Sequence, residues 1–291
     1  MPNINGTAHL YGRYQTPEPA TAKIHLHDGA TPLREILHPS PLGILDQEDL
    51  LAQGIRTSTF VPGETKDVDA LGSCTANSYM HALAEACLRA CNGDAVAALA
   101  MFHRLTSNLG AGISSWDDVV QAERLAISFY NVDTAATDPT EAFPPGDPGS
   151  SGVNVAATAE KLGQIADSTT AHAVDDLVSL LQAGGVMIGS PFYNSFEQPT
   201  AQGFIDGAGT TDDIRAAIDS GLAGGHETFI LGPEKLTLLP SGRVDPLNSW
   251  ALVDNSWSKS WGDGGRYRVH FSTLAAIGAQ CDYRQLTPVA A

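Results

Sequence analysis

Three segments of the chain carry residue types suited to nucleophilic chemistry. The first is Leu71-Gly72-Ser73-Cys74-Thr75-Ala76-Asn77. Its thiol opens an Ala-rich run, free of Pro and Gly, that reads as a helix to Cys91. The partial positive charge at a helix N-terminus favours the thiolate, the form in which sulfur attacks an acyl carbon. The second is Gly224-Gly225-His226-Glu227, leading into an apolar strand. Residues without side chains before the histidine let another stretch of chain approach it closely. In the third, Asn255-Ser256-Trp257 is followed by Trp261-Gly262 and a Gly-rich turn. An Asn amide can hold an imidazole in one orientation, and a neighbouring Trp can keep water off that bond. Taken singly, Cys74 reads as a buried thiol and His226 as a satisfied core histidine.

Together and in this order, the segments resemble the papain-like (C1) cysteine peptidases, of bacterial or phage type, over about residues 65–275. Asn-Ser-Trp, three residues, then Trp-Gly is the most specific element. The resemblance implies a papain-like α+β fold, with a helical half, a β-rich half and the active-site groove between them. It implies a hydrolase that cuts peptide bonds through a Cys thiolate and a thioester acyl-enzyme, on a peptide or protein substrate, with no cofactor and no metal. Carried over residue by residue, it makes Cys74 the nucleophile, His226 the general base and then acid, Asn255 the residue orienting His226, and Trp257 its shield. Gly184-Gly185-Val186, continuing to Phe192, resembles the segment lining the substrate pocket, and Gly225 joins it as a substrate-binding position. His226 follows Cys74 by 152 residues and Asn255 by 181, against the family's rough spacing of about 130–150. Turn signals at Gly232-Pro233 and Pro240-Ser241-Gly242 predict an extra β-hairpin in that long interval.

The chain also departs from the family. Six residues before the nucleophile, where the family has a Gln whose amide helps form the oxyanion hole, stands Val68. A valine side chain donates no hydrogen bond, and losing one such donor costs about 10²–10³ in kcat. Gln53 lies too far upstream without an unusual loop, and Asn77 sits a helical turn beyond Cys74. Leu71 replaces a structural cysteine, and Thr75 replaces the usual aromatic. Two readings stay open: a working peptidase, or a catalytically weak papain-fold module serving as a binding or structural part of a larger assembly such as a virion.

The surrounding elements fit this division. Helices are expected over 75–91, 94–107, from a Ser114-Ser115 cap to Tyr130, and over 174–182. Residues 137–152, rich in Pro and Gly, read as a loop. Strands are expected at 186–189, 226–231, 236–239, 249–255 and 266–271. Residues 1–55 read as an N-terminal extension that packs on or wraps around a domain spanning 56–291. It lacks the charged helical pattern of an inhibitory prosegment, but is a candidate to occupy the groove. His25 and His27 would share one side of a strand, without a third metal ligand at a diagnostic spacing.

The 291 residues carry a formal net charge of −17. That disfavours nucleic acid and anionic membrane surfaces as partners. Four cysteines make no disulfide scaffold. Met1–Gly6 shows neither the basic nor the apolar region of a signal peptide, so a cytoplasmic or virion-associated protein is expected. Homo-oligomerisation stays open.

Overall fold

The computed structural model describes residues 11–60, 67–110 and 112–290, so the reading of Met1–Gly6 lies outside them. Seven helices and seven strands occur among these residues. The helices are α1 (Cys74–Ala90), α2 (Ala95–Thr106), α3 (Val119–Thr137), α4 (Gly152–Lys161), α5 (Val174–Leu180), α6 (Thr211–Asp219) and α7 (Phe271–Ile277). The strands are β1 (Lys23–Ile24), β2 (Ile165–Thr170), β3 (Val186–Tyr193), β4 (Leu222–Lys235), β5 (Trp250–Asp254), β6 (Arg266–His270) and β7 (Asp282–Pro288).

Helix α1 is the central post of the helical half. Its first fourteen residues are all buried, which small Ala side chains allow. Tyr79 stacks on Phe129 of α3 with ring centroids 4.3 Å apart. The start of α3 differs from expectation. Asp118 caps it by accepting from the Gln121 N–H, and its other oxygen accepts from the Ser114 hydroxyl. Ser114 is therefore held by the cap rather than serving as one. The helix also runs seven residues past Tyr130. Helix α4 emerges directly from the Pro/Gly-rich loop, its N-terminus capped by Ser151 accepting from the Asn154 N–H.

The strands form one sheet in the order β1-β2-β7-β3-β4-β5-β6, antiparallel except for the β1–β2 pair. The β3–β4 register sets Ser190 opposite His226 and Val186 opposite Ile230. Between His226 and Asn255, β4 continues to Lys235, and a small hairpin follows. It is closed by the Leu238–Val244 bridge and the Leu239 N–H on the Arg243 carbonyl at 2.8 Å. The expected strand over 236–239 is reduced to that bridge.

Two apolar clusters form the core. One joins α1, α2 and α3, and the other lies on the sheet beneath α5 and α7. Leu42, Leu45, Leu50 and Ile55 sit inside the first cluster beside α1. This stretch before residue 56 is thus part of the core of the helical half.

Candidate active site

Helix α1 brings Cys74 to the junction of the two halves. Ser73 stands at its N-cap without a side-chain hydrogen bond to the helix, and the first turn holds no acidic residue. The positive end of the helix is therefore left uncompensated beside the sulfur. The helix lies against β4, where the Ser78 hydroxyl donates to the Thr228 carbonyl at 2.7 Å. Cys74 is completely buried. Burial pushes its thiol up to about 12, although the backbone amides of Glu227, Gly12 and Thr75 turned toward the sulfur work the other way.

His226 on β4 and Asn255, just past the end of β5, meet at 2.6 Å between Nε2 and Oδ1. The same Oδ1 accepts the Ser256 N–H at 2.9 Å, which fixes the orientation of the amide. An oxygen there makes Nε2 the protonated nitrogen and leaves Nδ1 as the basic one in neutral imidazole. Trp257 stacks on the ring with centroids 4.5 Å apart and planes 21° from parallel. Phe192 meets the same ring edge-on at 5.2 Å. The Asn–His bond is thus roofed by aromatic surface.

Sequence reasoning missed Gln47, which is wholly buried. Its backbone N–H donates to the Ser256 carbonyl at 3.1 Å, and its carbonyl accepts the Leu71 N–H at 3.0 Å. Its side chain repeats the pairing. Oε1 accepts the Ser256 hydroxyl at 2.6 Å, and Nε2 donates to the Leu71 carbonyl at 3.0 Å. One glutamine therefore staples the Asn255–Ser256 turn to the loop carrying Cys74. The described residues between Gln47 and Leu71 leave this point and return to it, with the Leu50 N–H on the Asp69 carbonyl at 2.8 Å. Val68 lies on that excursion, packed on the helical core with its N–H on Thr57 Oγ1 at 3.0 Å. Counting six residues back from Cys74 lands inside the excursion. A count that skips a self-closed loop reaches Gln47. Gln53 binds the Asp46 carbonyl instead, and Asn77 faces Glu123 on α3.

The expected segment from Gly184 to Phe192 divides in two along β3. Val186 is four register steps from the residue opposite His226, about 13 Å along a strand. A Cβ on Gly184 would meet the Arg89 side chain, and one on Gly185 would meet Phe229. These three residues belong to the packing of β3 on α1 and the sheet. The part of β3 beside His226 is Gly189–Phe192. Gly225, beside His226, lies against Arg13.

What fills the groove is the chain's own segment 11–14. The Arg13 N–H donates to the Gly225 carbonyl at 3.0 Å on the sheet side. The Tyr14 N–H donates to the Ser150 carbonyl at 2.8 Å, and the Ser150 N–H to the Gly12 carbonyl at 2.5 Å, on the helical side. Tyr11 packs against Trp257 and His226 at 5.6 and 6.0 Å, with its hydroxyl on Glu197 at 2.5 Å. Cβ atoms at Gly224 and Gly225 would come within 2.4 Å of Tyr11 and 2.1 Å of the Arg13 carbonyl. These two glycines are what allow the strap to lie so close. Gly12 turns its N–H toward Cys74 while its carbonyl is engaged by Ser150. The strap therefore offers the sulfur an amide hydrogen rather than an acyl carbon.

The histidines noted earlier have ordinary partners: His25 Nε2 lies 3.0 Å from Ser179 Oγ, and the His27 N–H donates to Asp176. Among the described residues, no group of three His, Cys, Asp or Glu is placed to hold a metal ion. No helix among them is long and apolar enough to cross a membrane.

No family model and no curated protein matches this chain. Solved structures do. One is xylellain, a cysteine protease from Xylella fastidiosa, at 16% identity and a TM-score of 0.50 over 96% of both chains. Others are procathepsin B from Trypanosoma congolense (15%, TM-score 0.46, over 97% of this chain and 87% of that one) and procathepsin L 3 from Tenebrio molitor (14%, TM-score 0.38, over 93% and 75%). At such identity the first likeness speaks for the fold alone: the chain has the α+β architecture of the papain-like cysteine proteases, with a helical half packed on a β-rich half.

Proposed function

We propose that the chain is a papain-like cysteine peptidase, held latent by its own residues 11–14. The observation that carries the reading is the His226–Asn255 pair at 2.6 Å beneath Trp257, at the junction to which α1 delivers Cys74. In the reaction, the imidazole takes the thiol proton and Cys74 Sγ attacks the peptide carbonyl carbon. The C–N bond then breaks, the proton passes to the leaving amine, and a thioester remains. Water, deprotonated by the same imidazole, releases the acid and restores the thiol.

The missing donor at position 68 is supplied by Gln47 in this reading. Its amide is anchored on the loop that carries Cys74, where it can join the Cys74 N–H in stabilising the tetrahedral oxyanion. The complete enclosure of Cys74 favours the second reading, a module that binds without turnover. The two separate on labelling by an epoxysuccinyl thiol probe once the strap is displaced. A peptidase labels at Cys74 much faster than its His226→Ala variant. Equal rates with and without His226 overturn the proposal in favour of the inactive module.

A further inference from the structure

Beside the strap lies a buried acidic pocket that neither the nucleophile nor the histidine uses. The Arg13 side chain enters it, with Nη2 on Asp282 Oδ2 at 2.6 Å and only 4% of the side chain exposed. Glu227, fully buried on β4, faces the same space, and neither of its carboxylate oxygens accepts a hydrogen bond from a described residue. Asp282 Oδ1 is in the same condition. A second buried guanidinium, Arg284, pairs with Glu18 and also favours the charged form of Glu227. Room for the guanidinium comes from glycine: a Cβ on Gly189 would stand 2.6 Å from Arg13 Nε and 2.6 Å from Glu227 Oε2. On the opposite wall, a Cβ on Gly152 would stand 2.4 Å from Asp282 Oδ1.

Two buried carboxyl groups, Glu227 and Asp282, face the strap guanidinium, and Asp282 loses its ion-pair partner when Arg13 leaves. Burial and the neighbouring Asp282 raise the Glu227 carboxyl well above the usual range. Burial works against the Arg13 charge, yet Asp282 and Glu227 hold its guanidinium more firmly protonated than usual. Arg13 directly follows Gly12, whose N–H is turned toward the Cys74 sulfur.

We propose that this pocket, once the strap has left, receives the arginine side chain of a peptide substrate, next to the residue that meets Cys74. The inference rests on the peptidase reading and names its substrate class: chains with arginine beside the scissile bond. Arg13 is then a resident mimic of the substrate side chain. A neutral isostere of the same length leaves the Asp282 carboxylate without its ion pair, and a charge-assisted pair of this kind is worth about tenfold or more in binding.

The test is alkylation of Cys74 by iodoacetamide, followed by peptide mass mapping, in the full chain carrying Arg13→Ala. Blocked tripeptides with arginine or with citrulline, its uncharged isostere, serve as competitors. The arginine peptide slows alkylation about tenfold at a concentration where the citrulline peptide has no effect, and Glu227→Gln with Asp282→Asn removes the difference. Equal protection by both peptides, or by neither, overturns the proposal. If Arg13→Ala does not fold, Arg13→Gln keeps the stem of the side chain and is read in the same way. Protection needs no turnover, so the two readings fail separately. Arginine-selective protection without hydrolysis sinks the peptidase and keeps the pocket. Hydrolysis indifferent to arginine does the reverse.

Discussion

Two residues decide whether sulfur chemistry is available. Gln47 bonds to Leu71 and Ser256, so Gln47→Ala should lower kcat on a peptide substrate by about 10²–10³. Val68→Ala should leave it within a factor of about two, since its side chain meets only apolar neighbours in the helical half. Steady-state assays of both variants, after displacement of the strap, check this. The thiol gives a second expectation. With Cys74 pushed up to about 12 by burial, the thiolate is scarce at pH 7. Iodoacetamide labelling of the intact chain should rise about tenfold per pH unit while the fold survives. A plateau near neutrality would mean a sulfur already activated in the closed state. The meeting of His226 with Asn255 under Trp257 could be anticipated because each has a distinctive neighbour: a glycine pair, a shielding tryptophan. Gln47 was hidden because its distance along the chain says nothing about a loop that closes on itself.

Among the elements, the glycines before His226 hold the strap against β4. Gly225→Ala would place a Cβ 2.1 Å from the Arg13 carbonyl, so this variant should eject the strap while leaving Cys74, His226 and Asn255 in place. Labelling of Cys74 at pH 7 should then exceed that of the parent by at least about tenfold as burial is relieved. Glu123 of α3 offers a different test, because burial and the nearby Asp46 push its carboxyl up to about 8. The folded chain keeps a proton there that the unfolded chain releases near 4.5. Stability from this group is full below about pH 4.5 and declines until about pH 8, by a few kcal/mol in order of magnitude. Glu123→Gln should flatten that decline in urea unfolding measured from pH 5 to 8. Element by element, the strands flanking the site were partly readable. Strand β7 was not, because Asp282 and Arg284 are buried in ion pairs and erase its apolar alternation. Helix α4 was lost in a Pro/Gly-rich neighbourhood, although Ser151 announced it. The expected segment ran from Gly184 to Phe192, and which part of it lies beside His226 could not be read, since a sequence shows a strand but not its register.

At the scale of the molecule, the stretch before residue 56 divides into two roles. Residues 11–14 are substitutable occupants of the groove, whereas Leu45 and Leu50 are wholly enclosed in the helical core. Leu45→Ala should cost about 2–5 kcal/mol of global stability. Tyr14→Ala, at an exposed side chain, should cost under about 1 kcal/mol. Chemical denaturation of the two variants separates the roles, and equal costs would contradict the division. The division into helical and β-rich halves could be seen in the sequence because helix and strand patterns separate along the chain. The chain's own occupancy of the groove could only be suspected, since Tyr11-Gly12-Arg13 forms no regular element.

The strap is hydrogen-bonded to Ser150 on one wall and Gly225 on the other, so its exit breaks contacts on both. Under the proposed latency, that exit gives the onset of activity the character of a clock. If the strap leaves by itself, hydrolysis begins after a lag whose length is independent of protein concentration. If another copy must cut the exposed stretch at Pro19–Thr21, the lag shortens in proportion as the protein is concentrated, and the progress curve accelerates on itself.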